Sequence, residues 1–100
     1  MPKQVLIIED SITDVSIMRD LLEKENIAVE VAMTGAEGVA KAKQIKPDLI
    51  ILDIMLPDMN GYEVCKLIRA NSDLNNSIVV VVSVKENVPD IAMAFLPREV

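Results

Sequence analysis

Three runs of aliphatic residues, each stopped by a carboxylate or a hydroxyl, constrain this chain more than anything else in it. Val5-Leu6-Ile7-Ile8 stops at Glu9-Asp10, Leu49-Ile50-Ile51-Leu52 at Asp53, and Ile78-Val79-Val80-Val81-Val82 at Ser83. Runs without polar alternation mark strands buried on both faces, as in parallel sheets covered by helices. In such sheets ligands bind in the crevice outside the carboxyl ends of the strands. Parallel strands here would gather three carboxylates and one hydroxyl into one patch.

The segments between these runs read as helices and one further strand. Ser11-x-x-Asp14 is spaced as a capping box, and Val15, Met18, Leu21 and Leu22 give the helix after it one apolar stripe. Asn26 closes that helix. Residues 27–34 read as a second strand, where Val29 and Val31 alternate with Glu30 as in a sheet edge. Gly35 marks a turn, and Ala36, Val39, Ala40 and Ile45 are expected on the inner face of a second helix, which Pro47 ends. Pro57-Asp58-Met59-Asn60-Gly61 is dense in turn formers, as a functional loop would be, and residues 62–70 read as a third helix. Strict alternation of strand and helix implies parallel pairing with right-handed crossovers. The expected architecture is a doubly wound α/β sheet.

Composition narrows the function. One hundred residues, 51% of them hydrophobic, suffice for one core, and with Tyr62 and Phe95 the only aromatics that core is aliphatic. No apolar stretch approaches the roughly 18–20 residues that cross a bilayer, and no secretory leader is visible, so no membrane partner is expected. A net charge of −6 argues against a nucleic-acid surface, which needs clustered Lys and Arg. The lone Cys65 fits a reducing, cytoplasmic setting and reads as a small buried apolar residue rather than a reactive thiol.

The chemistry follows from residue types. Two unit charges about 4 Å apart repel by about 4 kcal/mol at an effective dielectric near 20. A cluster of Glu9, Asp10 and Asp53 must therefore raise a pKa or bind a cation. Oxygen donors without His or paired Cys select a hard ion, Mg²⁺ or Mn²⁺, over zinc. An Asp carboxylate can itself act as nucleophile and form an aspartyl-phosphate. Each acidic residue taken singly could be no more than a cap or turn residue, and Glu9-Asp10 could simply cap the first helix. Their common placement at one end of the inner strands points to a site.

These residues together resemble the receiver domain of two-component response regulators. The resemblance rests on Ile7-Ile8-Glu9-Asp10, on Asp48 through Gly61 with its Asp53-x-x-Leu56-Pro57-x-x-x-Gly61 element, and on Val80-Val81-Val82-Ser83. It covers residue 3 to about 94 and implies a flavodoxin-like sheet of strand order 2-1-3-4-5. By the same resemblance Asp53 is the phosphoacceptor, and Glu9, Asp10, Asp53 and the Met55 backbone carbonyl hold Mg²⁺. Ser83 is the switch hydroxyl. The implied partner is a histidine kinase or phosphotransfer protein, and the only chemistry is self-catalysed transfer to Asp53 with slow autodephosphorylation. The domain is therefore not expected to be an enzyme acting on other substrates.

The chain departs from the family pattern at its end. Receivers carry a Lys on the fifth strand, and no Lys follows Lys85 here. Either residues 88–100 are fourth helix and approach to a missing strand, or Phe95-Leu96-Pro97-Arg98-Glu99-Val100 is a degenerate fifth strand with Arg98 at the Lys position. Under both alignments residues 1–100 form one receiver domain, C-terminally shortened and lacking the fifth helix. Val84 stands where a small residue is usual and should narrow access to the phosphoryl site. The uncovered sheet edge or face implies a homodimer. Two functions are therefore carried forward: a phosphoacceptor signalling module, and a non-switching interaction or dimerisation domain.

Overall fold

The computed structural model describes residues 3–82. Ser83, Val84, Lys85, Phe95 and Arg98, with both alignments of the tail, lie outside the described residues. Within them the chain alternates: β1 (Gln4–Ile8), α1 (Ile12–Lys24), β2 (Ala28–Ala32), α2 (Gly35–Ile45), β3 (Leu49–Asp53), α3 (Gly61–Arg69), a short 3₁₀ turn (Ser72–Leu74) and β4 (Ile78–Val82). The four strands form one sheet of order β2-β1-β3-β4, and every pair is parallel. This is the doubly wound, CheY-like order expected of the chain.

Register explains the aliphatic runs. Ile7 pairs with Ile51 and Ile51 with Val80, so the inner strands lie side by side with both faces covered. Alternate residues feed two cores. Leu6, Ile8, Ile50 and Leu52 pack with Val39, Ala42, Val64 and Ile68, which places α2 and α3 on one face. Val5, Ile7 and Ile51 pack with Val15, Met18 and Leu22 of α1 on the other. β2 is the edge strand that its alternation implied: Glu30 is exposed while Val29 and Val31 are half-buried.

The helix ends show where local chemistry differs from the expectation. Ser11 caps α1, its Oγ accepting from the Asp14 amide at 3.4 Å, but the reciprocal bond of a capping box is not made by Asp14. Glu9 takes that place, its Oε1 accepting from the Ser11 amide at 2.9 Å. Asn26, at φ 60, ends α1 in the left-handed region, which Asn tolerates better than most side chains. Gly35 is the first residue of α2, with Thr34 as its cap, and not a turn residue as the sequence suggested. The inner face of α2 is Gly35, Gly38, Val39 and Ala42, with Ile45 partly buried; Ala36 and Ala40 are exposed. Glycines carry the closest approach there, because a Cβ at Gly38 would overlap the Ile8 side chain. Cys65 is half-buried, not fully buried, on the flank of α3.

Candidate functional site

β1 and β3 are neighbours and parallel, so their last residues lie at one edge of the sheet. Glu9 and Asp10 follow β1, and Asp53 ends β3 opposite Val82 of β4. One carboxylate oxygen from each of Glu9, Asp10 and Asp53 lies within 4.8 Å of the others. Glu9 and Asp53 are almost wholly buried, at 3% and 2% exposure, while Asp10 faces solvent. The structure thus brings together the three carboxylates that the strand ends implied.

Burial without partners sets the electrostatics. Both Asp53 carboxylate oxygens are buried, and among the described residues neither meets hydrogen-bond geometry with any group. Desolvation raises the Asp53 pKa; the nearby Met55 and Ile54 amides oppose it, and the charge of Asp10 adds to it. Glu9 is pushed up to about 7, first by burial, with the Ser11 amide opposing and Asp53 and Asp10 adding. A buried carboxylate without a partner costs far more than a solvated one. Three oxygen donors around two orphaned buried atoms fit a hard divalent cation, which would neutralise the cluster. Glu9, Asp10 and Asp53 are the side chains that could hold it.

The loop from Ile54 to Asn60 forms one wall. Met55 is exposed and pairs with Asn60 in an isolated antiparallel bridge, while the Gly61 amide donates to the Ile54 carbonyl at 2.7 Å. A Cβ on Gly61 would collide with the backbone carbonyl of Asp53, so only glycine lets α3 start so close to the strand end. The sequence reading missed Asp58. Its Oδ1 accepts from the Gly35 amide at 2.7 Å and its Oδ2 from the Ala36 amide at 2.9 Å. These two amides, that of Ala36 first, hold the Asp58 carboxyl below the usual carboxylate range. A turn-forming composition signals the loop, but nothing in it signals a bond made 22 or more residues away.

A doubly wound parallel sheet with a cluster of three carboxylates at its carboxyl edge defines the class. Comparison with known proteins makes it specific: the chain belongs to the response regulator receiver domain family, which it matches over residues 5–97. The polar-differentiation response regulator DivK of Brucella anthropi is 35% identical over 83% of this chain and 68% of that protein. The phosphorylated cyanobacterial phytochrome response regulator RcpA superposes with a TM-score of 0.78 at 30% identity, covering 91% of this chain and 71% of that one. The Mn(2+)-bound form of another response regulator superposes at 0.76 with 31% identity, over 93% and 74%. The chain spans 29% of the length of the Bacillus subtilis regulator PhoP, to which it is 42% identical over 69 residues. No helix among the described residues is long and apolar enough to cross a membrane.

Proposed function

We propose that this receiver accepts a phosphoryl group on Asp53 from a histidine kinase or phosphotransfer protein. The observation that carries the reading is the Asp53 carboxylate, buried without a hydrogen-bond partner among the described residues and grouped with Glu9 and Asp10 at the sheet's carboxyl edge. Such a group is unstable as an isolated anion and disposed to take either a cation or a covalent electrophile. In the transfer, a carboxylate oxygen of Asp53 forms a bond to phosphorus as the donor P–N bond breaks. The leaving imidazole nitrogen keeps the electron pair and takes a proton. A divalent cation held by Glu9, Asp10, Asp53 and the Met55 backbone carbonyl would offset the negative charge on donor and acceptor. Similarity to a phosphorylated and to a Mn²⁺-bound response regulator supports both halves of the reading.

Asp53 acts on its own domain and on no external substrate, with slow hydrolysis of the acyl phosphate restoring the carboxylate. In the cell the domain then works as a cytoplasmic relay. A second copy associates through an uncovered edge or face of the sheet; sedimentation showing a clean monomer at high concentration would refute that association. Incubation with acetyl phosphate and Mg²⁺ should add one phosphoryl mass, and Asp53→Asn should remove it. Undiminished labelling of that variant would sink the assignment.

A further inference from the structure

The loop between β3 and α3 is held at its base and at its tip by different means. At the base, the Met55–Asn60 bridge and the Gly61-to-Ile54 bond close it beside Asp53. At the tip, Asp58 places one carboxylate oxygen on each of two successive amides of α2, those of Gly35 and Ala36. Next to that fork, Met59 fills the space that Gly35 leaves open. A Cβ on Gly35 would stand 2.5 Å from Met59 Cγ and 2.9 Å from its Sδ.

Helix starts leave their first amides without internal partners. In α2 the Thr34 hydroxyl takes the Glu37 amide and the Thr34 carbonyl takes the Gly38 amide. The amides of Gly35 and Ala36 remain, and the helix dipole favours an anion there. Asp58 satisfies both from a segment 22 and 23 residues further on. A local cap would have served the helix alone. A remote one also fixes the loop, and three residues before Asp58 that loop carries the Met55 carbonyl. We infer that Asp58 is a positioning residue: by fastening the loop tip to the start of α2, it holds the Met55 carbonyl ready for the divalent cation. The inference rests on the reading that Glu9, Asp10, Asp53 and this carbonyl bind Mg²⁺. Without the fork the loop must be ordered as the ion binds, and that lost chain freedom weakens affinity.

Mg²⁺ alone, followed by backbone amide shifts at near-physiological salt and without phosphodonor, tests this on the full chain. Residues that orient metal ligands typically cost 10–100-fold in affinity when removed. Asp58→Ala should raise the dissociation constant about tenfold, at the lower end of that range. Asp58→Asn, which keeps one acceptor of the two, should fall between that variant and wild type. Thr34→Ala removes a hydrogen bond from the same helix start without touching the loop, and it should leave Mg²⁺ affinity unchanged. Glu37→Gln removes one charge from the same helix turn and should also leave it unchanged. Thermal unfolding in EDTA should show Asp58→Ala and Thr34→Ala both folded and cooperatively unfolding. Unaltered affinity in Asp58→Ala would overturn the positioning role while leaving the cation site standing. An equal loss in Thr34→Ala would also overturn it, reducing Asp58 to a helix cap. A wild-type protein that shows no Mg²⁺ response would overturn the site reading and this inference together.

Discussion

Glu9 concentrates the conflict at the site, because its carboxyl is buried yet would have to ionise to serve in the proposed cation site. Its folded pKa of about 7 stands above the ordinary 4.5. Between those values the folded protein holds a proton that the unfolded chain has released, so stability falls as pH rises through the window. The contribution is complete below about 4.5 and lost above about 7. Asp58 has the opposite sign. Its lowered pKa gives stability that is present above 3.8 and lost as pH falls below it, so the two windows do not overlap. Urea unfolding in EDTA should therefore show wild type weakening from pH 5 to 7.5. Glu9→Gln should flatten that slope and be the more stable protein at pH 7.5. A wild-type protein that gains stability over this interval would contradict the account of Glu9.

Elements were legible in the sequence where an aliphatic run marks a strand, although β4 among them is only half-buried with Ile78 exposed, and illegible where contact is remote. β4 occupies the 78–82 run, and β1 and β3 each extend their aliphatic run by one residue; the carboxylates at their ends converge because the pairing is parallel. α2 was misread because two of its buried positions, Gly35 and Gly38, carry no hydrophobic signal. The Asp58 fork was invisible because it joins segments that only the fold brings together. The α3–β4 connection was missed for the same reason. There Arg69 donates to the carbonyls of Leu74 and Ser77, at 3.3 and 2.7 Å, and the buried Ser77 hydroxyl donates to the Pro47 carbonyl at 2.5 Å. That last bond ties the approach to β4 to the approach to β3. Ser77→Ala should leave the Pro47 carbonyl without this partner and destabilise the protein by about 1–3 kcal/mol, read by urea unfolding. A loss below about 0.5 kcal/mol would mean that water replaces the hydroxyl freely.

At the scale of the whole molecule, a divalent cation bound as proposed would compete with protons for one cluster, so its effect on stability would depend on pH. The chain carries a net charge of −6, and a general salt effect has to be separated from site binding by holding ionic strength constant with NaCl. An ion that binds the folded state alone stabilises by RT ln(1 + [L]/Kd), about 2.7 kcal/mol at one hundred times Kd. For a domain of this size each kcal/mol moves the midpoint by roughly 4–8 °C. At pH 7.5 Glu9 is largely ionised in the folded state, and saturating Mg²⁺ should raise Tm by several degrees. At pH 5 Glu9 holds its proton, the ion must displace it, and the same Mg²⁺ concentration should give a much smaller rise. Asp10→Asn should shrink the rise at pH 7.5, whereas Asp14→Asn, one helical turn from the cluster, should preserve it. Equal shifts at the two pH values, or a full shift in Asp10→Asn, would show that Mg²⁺ stabilises the molecule through its overall charge and not through the three carboxylates.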